Sequence, residues 1–132
     1  MQIYDVIPFF NETSLLTLRM EILNPYVDHF VISESPWTFS GREKPLYFEQ
    51  FRDQYKKFEG KIIYQVNKDN DPNWNQWQRS FYQKGNILSD IASSLKEDDI
   101  IISSDADEIP DLNKIDFQRI LDTNHLFLCG QL

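Results

Sequence analysis

Asp105, Asp107 and Glu108 fall within a four-residue stretch that follows the apolar run Ile100-Ile101-Ile102 almost at once. Carboxylates this close together are hard oxygen donors of the kind that hold Mg2+ or Mn2+ while a phosphate completes the coordination. Three consecutive β-branched residues fit a strand covered on both faces. The carboxylates therefore stand where that strand ends, which in open α/β sheets is the edge where ligands bind. If the backbone stays extended, Asp105 and Asp107 point to the same side. The competing reading is a helix N-terminus, where acidic residues favour the positive end of a helix starting near Asp111. A calcium loop of the EF-hand type fits badly, because its sixth position, here Pro110, should be Gly.

Other residues could complete such a site. Glu34 closes an apolar run and could accept hydrogen bonds from a ribose or a base N–H, or it could be a solvated loop residue. Pro8, Phe9, Phe10 and Asn11 follow the first apolar alternation, and their backbone could hold a flat base, although core packing of the phenylalanines is the competing use. Arg79 could bind a diphosphate or clamp the acidic cluster, since a guanidinium makes paired bonds to phosphate or carboxylate. Trp37, in a loop rich in Gly, Ser and Pro, could stack on a sugar. His29 and His125 lack the helical spacing of a zinc pair and read as structural. There is no Ser/His/Asp arrangement, P-loop or G-x-G-x-x-G stretch.

The elements that must position these residues can be read from periodicity. Residues 2–7 alternate and meet Pro8, giving a first strand followed by a loop. Residues 14–23 form a helix, capped by Asn11 or Thr13, with Leu15, Leu18 and Ile22 on one face and Leu16, Met20 and Leu23 beside them. Strands follow over 28–33 and 61–66. Between them a helix over 47–58 carries Tyr47, Phe51, Tyr55 and Phe58. A long helix over 74–95 places Trp77, Phe81, Leu88, Ala92 and Leu95 along one side. The strand beginning at Ile100, a short helix over 115–121 and a fifth strand over 125–128 complete the order. Alternation of this kind implies an α/β fold, a Rossmann-like and mostly parallel sheet with right-handed crossovers and helices on both faces.

At 132 residues, 41% of them hydrophobic, the chain is one domain with a single sizeable core, and no internal linker divides it. A net charge of −8 argues against nucleic acid as a partner and is compatible with a site that gathers a cation. The single cysteine, Cys129, cannot form an intramolecular disulfide and reads as a buried thiol. No apolar run is long enough to span a membrane and no leader is evident, so a cytoplasmic protein is expected. The chain stops directly after the last strand. It is read either as a complete domain or as the N-terminal nucleotide-binding part of a longer protein.

Taken in order, Ile3-Tyr4-Asp5, Pro8-Phe9-Phe10-Asn11-Glu12, Phe30-Val31-Ile32-Ser33-Glu34, Lys44-Pro45-Leu46-Tyr47-Phe48, Trp74 with Gln78-Arg79, and Ser104-Asp105-Ala106-Asp107-Glu108-Ile109-Pro110 resemble glycosyltransferase family 17. Ser80 departs from the Asn expected in many relatives. The resemblance implies a GT-A type fold, a UDP-sugar donor (UDP-N-acetylglucosamine above all), a glycan acceptor, and Mn2+ or Mg2+ on Asp105 and Asp107. It also implies an inverting transfer in which an acceptor hydroxyl attacks the anomeric carbon. Glu34 and residues 8–12 would meet the uridine, and Arg79 the ribose or diphosphate. Glu108 is the carboxylate nearest the cluster that could act as base, but the base is expected outside this chain. Two alternatives stand beside this. One is a nucleotide-sugar-binding module without catalysis. The other is a phosphotransferase of the haloacid dehalogenase kind, which would carry its D-x-D on the first strand rather than the fourth.

Overall fold

The computed structural model describes residues 1–85, 91–116 and 118. Four strands, β1 (Ile3–Phe9), β2 (His29–Glu34), β3 (Ile62–Val66) and β4 (Ile100–Ser103), form one sheet in the order β3-β2-β1-β4. Every pairing is parallel. The architecture is therefore α/β and Rossmann-like. The chain builds outward from β1 through β2 to β3, then crosses back to place β4 on the other side of β1. That reversal makes the gap beyond β1 and β4 a topological switch point.

One residue helps to open this gap. The Ile100 N–H donates to the Gln2 carbonyl (2.8 Å), so the even-numbered residues of β1 face β4. Pro8 is one of these and has no N–H to give. Pairing between β1 and β4 ends two residues earlier, at Val6 and Ser103, whereas β1 stays paired with β2 as far as Phe9 and Glu34. The strand thus runs through Pro8 rather than ending at Ile7 as the sequence reading had it. A proline is tolerated there because its neighbour has already turned away.

Helix α1 (Thr13–Leu23) crosses one face of the sheet. Its buried side is Leu16, Arg19, Met20 and Leu23, while Leu15, Leu18 and Ile22 are exposed. Of the two apolar stripes expected, the one carrying Leu16, Met20 and Leu23 packs inward. Both stripes are apolar, and the inward one is selected by the polar partners that Arg19 finds beneath it. Neither Asn11 nor Thr13 caps α1; Glu12 occupies the N-cap position and no side chain bonds there.

Between β2 and β3 the helix expected over 47–58 is broken. Helix α2 (Tyr47–Gln50) yields at Phe51 to successive 3-10 turns over Arg52–Lys61. Three residues per turn bring Tyr55 and Phe58 onto one side, both buried, while Phe51 turns outward. Phe48 stacks on Tyr55 with centroids 5.0 Å apart.

On the same face Ile3, Ile7, Phe9, Phe30, Ile32, Ile100 and Ile102 pack beneath α1 and these aromatics. On the other face, among the described residues, Tyr4, Val6 and Val31 are covered by Ile91 and Leu95. Helix α3 is described over Gln76–Gly85. Residues 86–90, which include Leu88, lie outside the described residues, and by Ile91 the chain is no longer α-helical. Trp77 and Phe81, expected along one side of the long helix, are 82% and 70% exposed, and among the side chains described in α3 the buried one is Arg79. A 3-10 turn at Leu112–Lys114 stands in place of a helix starting near Asp111. The short helix expected over 115–121 falls largely outside the described residues, and the fifth strand over 125–128 and Cys129 do so entirely. Among the described residues no helix is long and apolar enough to cross a membrane.

Candidate functional site

Beyond Ser103 the chain does not stay extended. The Glu108 N–H donates to the Asp105 carbonyl (2.9 Å), closing a tight turn over residues 105–108. The turn is tied twice more. The Asp105 N–H donates to Glu108 Oε1 (3.1 Å), and Ser104 Oγ donates to the Glu108 carbonyl (2.8 Å). Ala106 is buried and anchors the turn in the core, which leaves Asp107 exposed. One carboxylate oxygen from each of Asp105, Asp107 and Glu108 lies within 4.8 Å of the others. The turn gathers them, not the alternation of an extended strand.

A cation with bonds of roughly 2.0–2.1 Å holds neighbouring ligand oxygens about 3 Å apart and opposite ones about 4 Å apart. The donor set is the kind such an ion takes, and oxygens spread over up to 4.8 Å would have to draw together for all three to reach one ion. Glu108 contributes to the cluster while one of its oxygens serves the turn.

The cluster opens onto a cavity of about 300 Å³ at the switch point. Asp105 and Asp107 line one wall, and Pro8, Phe9 and Phe10 line another. These expected site residues, 97 positions apart between Pro8 and Asp105, share one space only because β1 and β4 are neighbours. Phe10 stacks on Phe39, with centroids 5.9 Å apart. Ser33 and Ser35 at the end of β2 supply hydroxyls, and among the described residues Lys44 is the basic one lining the cavity. Asn11 is exposed and does not line it.

Two expected ligand residues are committed elsewhere. Glu34 is buried (1% exposed) and lies on the α1 side of the sheet. Its carboxylate accepts from Lys44 Nζ (2.7 Å), the Tyr47 N–H (2.7 Å), the Phe48 N–H (3.1 Å) and the Tyr64 hydroxyl (2.9 Å). It caps the first turn of α2 and is ion-paired to Lys44, so it shapes the cavity from behind rather than reaching into it. Burial, followed by the adjacent Glu34 carboxylate, pushes the Tyr64 phenol well above its ordinary value.

Arg79 is also buried. It donates to Asn70 Oδ1 (2.7 Å), the Phe39 carbonyl (2.9 Å) and the Asp71 carbonyl (3.0 Å). It pins the 35–43 loop to the 67–73 loop, and neither a diphosphate role nor a clamp on the acidic turn is visible in its contacts. Gly41 permits the close approach: at φ +87° its Cα lies over the guanidinium, and a Cβ would come within 2.9 Å of Arg79 Cζ. Trp37 does not line the cavity; its indole N–H donates to the Lys68 carbonyl (3.2 Å).

The sequence reading missed a buried pair. Asp5 and Arg19 are both wholly inaccessible. Arg19 Nε donates to Asp5 Oδ2 (2.9 Å) and Nη2 to Asp5 Oδ1 (2.6 Å). Burial pushes the Asp5 carboxyl up from the ordinary carboxylate range, and the Arg19 guanidinium opposes that shift. A signal existed. Asp5 sits between Ile3 and Ile7 on one strand face, and Arg19 sits between Leu16 and Leu23 at helical spacing, so two opposite charges occupied core positions.

Fold and site together define a Rossmann-like α/β protein with an acidic turn and a ligand-sized cavity at the carboxyl edge of its sheet. A sequence model of glycosyltransferase family 17 matches residues 1–130, and the chain belongs to that family. It is 29% identical over 128 residues to the beta-1,4-mannosyl-glycoprotein 4-beta-N-acetylglucosaminyltransferase of Rattus norvegicus, covering 92% of this chain and 24% of the relative. Against the Homo sapiens protein of the same name it is 30% identical over 119 residues, covering 85% of this chain and 22% of the relative. The chain thus spans about a quarter of the length of these curated relatives. No solved structure matches it significantly.

Proposed function

We propose that this chain is the donor-binding part of a metal-dependent, inverting glycosyltransferase of GT-A type that takes a UDP-sugar, UDP-N-acetylglucosamine in the first instance, and passes the sugar to a glycan acceptor. The observation that carries the reading is the single cavity joining Pro8, Phe9 and Phe10 to Asp105 and Asp107. The names of the curated relatives support N-acetylglucosamine as the sugar.

In this reading the base and ribose lie against the Pro8–Phe10 segment, with the Ser33 and Ser35 hydroxyls within the same cavity. The diphosphate faces Asp105 and Asp107, the residues that would hold Mn2+ or Mg2+. When bound, the ion acts as a Lewis acid and offsets the charge that develops on the leaving diphosphate. The acceptor hydroxyl forms its bond to the anomeric carbon as the bond to UDP breaks, and a carboxylate takes the hydroxyl proton. Glu108 Oε1 is held to the Asp105 N–H within the turn, and the base is assigned to a residue other than those described.

The test is calorimetric titration of the chain with UDP and UDP-N-acetylglucosamine, with and without Mn2+. Binding is expected to need the ion and to be lost in Asp107→Ala. Failure of every UDP-sugar to bind would overturn the reading.

A further inference from the structure

The Asp5–Arg19 pair does more than fill the core. A guanidinium carries five N–H groups in a fixed fork, and in Arg19 the contacts account for all five. Two go to the Asp5 carboxylate. Nη2 also donates to Ser104 Oγ (2.8 Å), while Nη1 donates to the Asp105 carbonyl (2.8 Å) and the Glu108 carbonyl (2.9 Å). The last two acceptors are the first and last residues of the acidic turn. Ser104, held by Arg19, in turn donates to the Glu108 carbonyl.

We propose that Arg19 is a positioning residue that sets the geometry of the cation-binding turn, with Asp5 as its orienter and counter-charge. The inference rests on the reading of Asp105 and Asp107 as metal ligands. Bridging the two ends of the turn from below fixes the backbone from which all three carboxylates project. Asp5 holds the guanidinium in plane from β1 and neutralises it. A cationic side chain thereby lies beneath a cation site without a net repulsive charge. Lysine cannot substitute, because one ammonium cannot reach the carboxylate, the serine and both carbonyls in the fixed fork geometry of a guanidinium.

Two variants test this. Asp5→Leu with Arg19→Met removes both charges together, so that neither is left buried and unpaired. Arg19→Lys keeps the charge beside Asp5 but not the bridge. Two readouts are taken well below each variant's melting temperature: Mn2+–UDP affinity by calorimetry, and hydrogen exchange of the Glu108 amide against the β2 amides. Both variants are expected to bind Mn2+–UDP at least tenfold more weakly and to exchange the Glu108 amide at least tenfold faster, with β2 protection retained. A purely structural role would lower melting temperature and leave both readouts near wild type, and that result overturns the proposal. If wild type binds no Mn2+–UDP but the selective exchange difference is present, the donor reading falls and the positioning of the turn by Arg19 stands.

Discussion

Replacing Glu34 by Ala separates a carboxylate that builds the cavity from one that contacts the ligand. The side chain is buried and accepts four hydrogen bonds, from Lys44, Tyr47, Phe48 and Tyr64. Truncation would leave the Lys44 ammonium, itself only 5% exposed, without its carboxylate, and would strand two backbone N–H groups at the start of α2. Removing one partner of a buried ion pair costs about 3–5 kcal/mol, and the stranded N–H groups place this case toward the upper end. In a domain of this size that corresponds to a fall in melting temperature of roughly 10–20 °C. Differential scanning calorimetry at neutral pH measures it directly. In parallel, ligand affinity is measured by calorimetry at a temperature where the variant is still folded, and is expected to change less than tenfold. A variant that melts within 2 °C of wild type yet loses UDP-sugar binding would refute the structural assignment and return Glu34 to the ligand.

Three further outcomes follow from the geometry. Asp107→Ala is expected to abolish the Mn2+-dependent rise in melting temperature with UDP-N-acetylglucosamine while leaving the unliganded melting temperature within about 2 °C, because exposed side chains contribute little to stability; a preserved rise would remove Asp107 from the metal set. Gly41→Ala places a Cβ at positive φ against the Arg79 guanidinium and is expected to destabilise the chain by about 1–3 kcal/mol, read by urea denaturation. The phenols of Tyr64 and Tyr55 are both raised by burial, so the folded chain keeps these protons at a pH where the unfolded chain releases them, near 10. Their contribution to stability is complete below that pH and is lost as pH rises above it. Melting temperatures from pH 8 to 11 should fall, and Tyr64→Phe should flatten the slope.

Much of the frame was legible from local pattern alone. The runs at Ile3, Phe30, Ile62 and Ile100 announced four strands because β-branched and aromatic residues fit a covered pleat. Their alternation with helical segments announced a parallel sheet, since parallel strands need crossovers. The Asp105-Ala106-Asp107-Glu108 stretch announced hard oxygen donors because chemistry is carried by residue type. Local pattern could not say which side of a doubly apolar helix turns inward. In α1 that was decided by Arg19 finding Asp5, 14 residues away, and the turn at Ser104–Glu108, 85 to 89 residues away. Nor could it tell a carboxylate that faces a ligand from one that caps α2, as Glu34 does, because both end a strand. The same holds for Arg79, whose acceptors are carbonyls and an amide in two loops. The sequence by itself determined these four strands, their parallel sense and the acidic cluster, all of which rest on neighbours in the chain. Only the tertiary structure decided which charges are spent inside the protein and which remain for a ligand. A hydrogen-bonding group can serve one set of partners at a time, and those partners are brought together only when β4 lies down beside β1.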